Sequence, residues 1–499
     1  MSDPSRLLVI DEGTTGTRAL VFDGAGAVRG RAYSEFTQFH PAADRVEHDP
    51  EEIWRLTSAR IADALRESGT RAGELSGIGI TNQRATTVLW DRGTGRAVAP
   101  AIVWQDLRTA ATADRLRPEW GAAVQARTGW TLAPVYSSLS LCWMLEHDKD
   151  LARRAEAGEL AFGTMDSWLI HRLSGGAVHA ISASNAAVTG SYDLLTDSWY
   201  RDWLGALGLP MNLFPQVVDD SGHIATTDPA VLGAEVPITA AVADQSAALF
   251  GQGCVHPGDA KTTHGTGTFL DVNTGSTPVI SRHGLSTIIA WRRDGSTTYG
   301  LEGYAPVTGA AVQWLRDGAE LLGSAGETEE LARGVDDNNG VYFVPALTGL
   351  GAPSWDAGAR GLLIGISPGT TRGHLARAAL EGIVYSIKDF IELMSEESGR
   401  AVTSMRADGG ASANDFLLQF QADMLGAVIH RPSNVEATAS GAAYLAGLAV
   451  GTWSDPEDCF RATGDDAVFV PALDDASRDA QYTQWKRAVE RAKGWVVQQ

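Results

Sequence analysis

The 499-residue sequence has only three cysteines, Cys142, Cys254 and Cys459, scattered singly and with no C-x-x-C spacing. That scarcity excludes a disulfide or zinc framework and suits a reducing compartment. Positive charge is also short: 40 Lys and Arg stand against 61 Asp and Glu, a formal net charge of -21. A field of that sign repels polyanions, so neither nucleic acid nor a membrane surface is an expected partner. No apolar run approaches the ~18 residues of a spanning helix, and the opening MSDPSRLLVIDE lacks the basic and apolar regions of a signal peptide. A cytoplasmic protein is expected. The sequence contains no G-x-x-x-x-G-K-[ST] loop and no G-x-G-x-x-G fingerprint, so two common routes to nucleotide binding are closed. Its eleven histidines show no H-E-x-x-H or comparable metal spacing.

What remains is ordinary globular material, 44% hydrophobic and 20% charged, long enough for two or three domains at roughly 150 residues each. Near the start, LLVI and ALVF flank the polar turn Glu12-Gly13-Thr14-Thr15-Gly16-Thr17, which predicts a β-hairpin. Half a chain later KTTHGTGTFLDV, residues 261–272, repeats the pattern around Gly265-Thr266-Gly267. Two such hairpins predict two domains of related design. Helical spacing of Ile53, Leu56, Ile61 and Leu65 predicts a helix over 49–68, and Leu75 to Ile80 reads as a strand. Downstream, Val341 to Leu347 reads as a buried strand and Arg372 to Ser395 as a long amphipathic helix. Val402 to Ala411 then reads as a strand ending in Asp408-Gly409-Gly410-Ala411, ahead of a helix over 414–425. Strands alternating with helices give the α/β class.

Turns rich in Gly, Thr and backbone N–H groups form nests for phosphate oxygens without needing a lysine. Asp11 ends the first strand, where a carboxylate can hold Mg²⁺ through water, and Arg18 can neutralise a phosphate. An ordinary hairpin with a surface arginine is the alternative. Three polar clusters each follow a strand-like run: Thr81-Asn82-Gln83-Arg84, Trp104-Gln105-Asp106 and Asp244-Gln245. Ligands of open α/β sheets bind beyond the carboxyl ends of strands, so these clusters can converge on one cleft. Arginine, tryptophan, aspartate and glutamine together suit a small polyhydroxylated molecule. Taken singly, Trp104 also fits a core residue, and Asp244 a helix N-cap.

The blocks DEGTTGTRA, ITNQRATT, AIVWQDLRT, FGTMDSWLI, ADQSAALFGQ, THGTGTF, GAAVQWLRD, TGLGAPSWD and DGGASANDFLLQFQADMLG, in this order between about Leu7 and Trp453, resemble the FGGY carbohydrate kinases. Within that family the glycerol kinase branch is the most similar. The resemblance implies two actin-like (ribonuclease H-like) domains, residues 1–248 and 249–499, with ATP and substrate in the cleft between them. It implies an ATP- and Mg²⁺-dependent transfer to a primary hydroxyl of a small polyol. Glycerol is the first substrate, a larger polyol or ketose (a tetritol or pentulose) the second. Asp244 would be the general base. Asp11 and Asp244 would hold Mg²⁺, and Thr14, Thr15 and Arg18 would face the terminal phosphate. Thr266 and Gly267 would form the second phosphate turn, and Gly309, Gln313, Gly410 and Asn414 would line the nucleotide. Arg84, Trp104, Asp244, Gln245 and Phe269 would contact the substrate. The family pattern also implies a homo-oligomer, dimer or tetramer.

Four positions depart from the pattern. Ala85 stands where the family has a substrate-binding glutamate, and Val135 where it has a tyrosine, with Tyr136 next door as the expected replacement hydroxyl. Ser140 replaces a lysine. Glu12 replaces a glutamine, which would add negative charge beside the metal. A non-catalytic actin-like regulator is the rival reading, against which Asp11, Arg18 and Asp244 weigh, since a sensor needs no base.

Overall fold

The computed structural model describes residues 5–433, 436–460 and 466–496. Thirteen strands join in one sheet: β1 (Arg6–Glu12), β2 (Gly16–Asp23), β3 (Val28–Glu35), β4 (Gly77–Asn82), β5 (Ser221–Thr226), β6 (Pro237–Ala243), β7 (Ala260–His264), β8 (Thr268–Gly275), β9 (Ser286–Arg293), β10 (Ser296–Ala305), β11 (Ser404–Asp408), β12 (Val428–Arg431) and β13 (Ala467–Phe469). Their order is β13-β12-β11-β7-β8-β10-β9-β5-β6-β4-β1-β2-β3. One pattern occurs twice. β1 runs antiparallel to β2 and parallel to β4, β2 antiparallel to β3, and β4 parallel to β6. In the second half β7 runs antiparallel to β8 and parallel to β11, β8 antiparallel to β10, and β11 parallel to β12, repeating the same relations. The two patterns meet where β5 lies beside β9, with Ser221 opposite Arg293. Both hairpins read from the sequence are therefore the leading strands of a repeated, actin-like mixed α/β unit.

Five helices bear on the site. α1 (Pro50–Ser68), close to the expected span of 49–68, starts where the Asp49 side chain accepts from the Glu51 N–H and ends at Gly69 in the left-handed region. α2 (Asp244–Gly251) follows β6 directly, α3 (Arg372–Ser398) covers the second half, and α4 (Asp415–Leu425) is capped by Asn414, which accepts from the Leu417 N–H. α5 (Ala437–Ala449) comes late in the chain yet packs on α2, β1, β4 and β6, completing an apolar core that includes Leu7, Val9, Phe22 and Leu249. The crossing of α2 and α5 leaves no space for side chains. A Cβ on Gly441 would stand 1.8 Å from the Ala247 carbonyl oxygen, and one on Gly251 2.0 Å from that of Ala437. Backbone contact of this kind fixes α2, and with it Asp244 at its first turn.

The run over 341–347 differs from its expectation. Only Tyr342–Val344 forms a strand, paired with Leu362–Ile364 in a separate small sheet, because Pro345 cannot donate to a continuing ladder. No helix among the described residues is long and apolar enough to cross a membrane.

Candidate active site

β1, β4 and β6 are parallel neighbours whose register sets Asp11 beside Thr81 and Thr81 beside Val242. Their carboxyl ends are level, so the polar residues that follow emerge together. Asp11 is 3% exposed and pairs with Arg18, whose other amino group donates to Glu436 Oε2 at 2.8 Å just before α5. Burial raises the Asp11 carboxyl above the usual range despite the pull of Arg18. The turn between β1 and β2 closes with the Gly13 N–H on the Gly16 carbonyl, and Thr14 Oγ1 accepts from Trp104 Nε1 at 3.0 Å. Trp104 is thus 37% exposed and is not core.

Glu12 corrects an expectation. It is fully buried, Thr57 donates to its Oε2 at 2.9 Å, and burial lifts its carboxyl to about 8. A proton held near neutral pH makes it resemble the glutamine it replaces, so it adds no charge near Asp11.

A first cavity of about 540 Å³ gathers Thr14, Arg84, Ala85, Trp104, Val135, Asp244, Gln245 and Phe269. Ala243, not Asp244, occupies the cap of α2. Asp244 Oδ1 accepts from the Gln245 N–H at 2.7 Å and lies 3.2 Å from Arg84 Nε, with a third of the side chain still open to the cavity. Burial holds its carboxyl above the usual aspartate value, opposed by Arg84. Arg84 lies over the Phe269 ring at 5.7 Å. Tyr136 does not line this cavity. Its ring is buried in a hydrophobic cluster and its hydroxyl donates to the Trp130 carbonyl at 2.5 Å, because the start of the helix at Ser137 turns residue 136 inward while Val135 faces the space. The replacement hydroxyl expected there is absent from the pocket.

Behind the cavity lies a row of charges that sequence reading missed, of which only Glu302 lines the space. Lys261, Asp271 and Glu302 stand directly opposite one another on β7, β8 and β10. Lys261 Nζ lies 2.6 Å from Asp271, both fully buried, and donates to Gln245 Oε1 at 2.7 Å. Glu302 Oε2 accepts from Arg84 Nη1 at 2.7 Å, and burial lifts its carboxyl to about 7 against that pull. Breaking such a buried pair from one side leaves a charge uncompensated, at a cost of about 3–5 kcal/mol. One signal was available: Lys261 and Asp271 lie symmetrically about the turn at Thr266, which marks them as a cross-strand pair.

A second cavity, about 550 Å³, contains Thr266, Gly309, Gln313, Gly410 and Asn414, together with Arg316, Thr328 and Glu329, which sequence reading missed. The turn at Thr266 is held by backbone donors: the N–H groups of Thr308 and Ala310 bond the Thr266 carbonyl, and Gly309 that of Gly265. In the glycine pair after β11 the constraint falls on Gly409. It has φ of +87° and would bring a Cβ within 2.5 Å of the His264 carbonyl, whereas a Cβ on Gly410 meets nothing. Thr15, Arg18, Asp11 and Gly267 line neither cavity.

Two family models match the chain, the N-terminal domain of the FGGY family of carbohydrate kinases over residues 6–251 and its C-terminal domain over 260–450. The chain belongs to the FGGY family of carbohydrate kinases. It is 50% identical to glycerol kinase from Aromatoleum aromaticum over 99% of this chain and 100% of that one. It is 49% identical to glycerol kinase from Dechloromonas aromatica, over 98% of each. Among solved structures, that of Plasmodium falciparum glycerol kinase with ADP superimposes with a TM-score of 0.94 at 29% identity over 99% of both chains. A xylulose kinase from Lactobacillus acidophilus shares the fold, with a TM-score of 0.87 at 20% identity. As an FGGY kinase, the chain is an ATP-dependent enzyme acting on a small carbohydrate or polyol.

Proposed function

We propose that this FGGY kinase transfers the terminal phosphoryl group of ATP to a primary hydroxyl of glycerol, giving glycerol 3-phosphate and ADP. The first cavity is the acceptor pocket and the second the nucleotide site, with the cleft between residues 1–248 and 249–499 closing over both in the cytoplasm. One observation carries the reading: Asp244, pinned by α2 and Arg84, keeps part of its carboxylate open to a pocket that reaches Thr14 of the first turn. An alcohol is a weak nucleophile near neutral pH, so Asp244 accepts its proton as the oxygen attacks phosphorus and the bond to ADP breaks. Arg18 offsets charge on the transferred group, and the backbone of the turns at Thr14, Thr15, Thr266 and Gly267 orients the phosphates. Mg²⁺, when bound, would neutralise phosphate charge. Asp11 and Asp244 fit it, since Mg²⁺ needs only one or two carboxylates beside phosphate and water, and a buried Asp11 carboxyl is stabilised by a cation.

The test is ADP release with three- to six-carbon polyols and ketoses, with the product identified. Glycerol is expected to give the highest kcat/KM. A larger polyol or ketose is the second reading, because a further cavity of about 430 Å³ shares Ser286, Glu302 and Tyr304 with the acceptor pocket. A tetritol or pentulose outranking glycerol would select it.

A further inference from the structure

The acceptor pocket lacks the two side chains that the family resemblance places around its substrate: position 85 carries a methyl group and position 135 an isopropyl group. A carboxylate and a phenol nevertheless reach the same cavity from β10. Glu302 and Tyr304 are two residues apart on that strand and therefore on one face, while Gly303 between them packs toward Phe390. Tyr304 stands opposite Phe269 on β8, with ring centroids 4.6 Å apart, and a Cβ on Gly267 would lie 2.8 Å from its hydroxyl. The phenol thus lies between the pocket and the second phosphate turn. It is 45% exposed, and its hydroxyl has no hydrogen-bond partner among the described residues. Glu302, 6% exposed, gives one oxygen to Arg84, and among the described residues no hydrogen bond reaches the other, while the residue lines the cavity. A free phenol and a carboxylate with one oxygen left over from its pair with Arg84 stand on one wall of a pocket and are the groups a polyol's hydroxyls require.

We propose that Glu302 and Tyr304 are substrate-contacting, specificity-determining residues that supply from β10 the carboxylate and phenol missing at positions 85 and 135. This rests on the reading of the first cavity as a polyol acceptor site. The hydroxyl donated by Tyr304 and the acceptor oxygen of Glu302 grip hydroxyls of the substrate other than the one phosphorylated.

The test compares glycerol with propane-1,2-diol and propane-1,3-diol, which between them remove each hydroxyl that does not react, in wild type and in Tyr304→Phe and Glu302→Gln. For Tyr304→Phe, kcat/KM on glycerol is expected to fall about five- to tenfold through KM, with KM for ATP unchanged. Its preference for glycerol over one diol should shrink by the same factor, because that diol never made the lost contact. Glu302→Gln, which keeps an acceptor for Arg84, should reduce the preference at least as much. Unchanged glycerol-to-diol ratios, or an equal loss on all three acceptors, would overturn the proposal. If Glu302→Gln does not fold, the half-exposed Tyr304→Phe decides alone. A wild type inactive on glycerol and both diols but active on another acceptor overturns the glycerol reading and this proposal with it. Activity on glycerol with unmoved ratios overturns only the latter.

Discussion

The two cavities are nearly equal in volume, about 540 and 550 Å³, and both border the hairpin of β7 and β8, yet they are built from different materials. The acceptor pocket sets apolar and aromatic walls around charged side chains that hold one another: Arg84 bridges Asp244 and Glu302 on its lining, and behind it the buried Lys261 bridges Gln245 and Asp271. The nucleotide cavity is made largely of backbone and small residues, Gly265, Thr266, Gly309 and Gly410. The difference teaches where each reactant is sensitive. A pocket of interlocked charges fails when a charge changes, and a cavity of glycines fails when volume is added.

Asp244→Asn should therefore have the largest effect. It is nearly isosteric and keeps an acceptor for the Gln245 N–H, but it cannot take the proton, so kcat should drop ~10²–10⁴-fold with ATP affinity nearly intact. Wild-type turnover in steady-state assays would reduce Asp244 to a residue that orders the start of α2. On the other side, Gly410→Val projects into open cavity and should weaken ATP ~10–100-fold, the equivalent of ~1–3 kcal/mol of overpacking. Unchanged affinity by calorimetry would move the nucleotide elsewhere. Gly267→Val is the poorer probe, because its Cβ would meet the Ala305 carbonyl at 2.6 Å and disturb the hairpin itself.

Ala85→Glu ranks next. Residue 85 is 3% exposed with φ of +60°, and a new carboxylate would crowd Asp244 and Glu302 around a single arginine. A fall of about tenfold in kcat/KM on glycerol is expected. A rise would mean that position 85 alone governs the substrate grip. The last effect concerns stability, not activity. Glu12 titrates near 8 when folded against an ordinary value of 4.5, so between those values the native state keeps a proton that the unfolded chain has lost. Its contribution is fully present below about 4.5 and is lost as pH rises toward 8. Melting curves at pH 6 and pH 8.5 should show wild type losing more Tm over that interval than Glu12→Gln, and equal losses would contradict the buried-proton account.

The same contrast explains what sequence could reveal. Of the second cavity, Thr266, Gly410 and Asn414 were legible because turns and glycine pairs are local, whereas Gly309 and Gln313 came only through the family resemblance; all five line one cavity. Both hairpins and the span of α1 were legible for the same reason. The acceptor side was half legible. Arg84, Trp104, Asp244 and Gln245 follow strand ends, but the charges beneath them come from strands far apart in sequence, and only pairing across β7, β8 and β10 aligns Lys261, Asp271 and Glu302. Tyr136 was misplaced because a one-residue step at a helix start turns a side chain from cavity to core. The packing of α5 on the first half of the sheet was likewise invisible, since it joins segments about two hundred residues or more apart.

The division of labour between the cavities is tested most directly by equilibrium titration of Gly410→Val and Tyr304→Phe with glycerol and with ATP separately. Gly410→Val should lose ATP affinity and keep that for glycerol, and Tyr304→Phe should do the reverse. Loss of the same ligand by both variants would contradict the assignment of one reactant to each cavity.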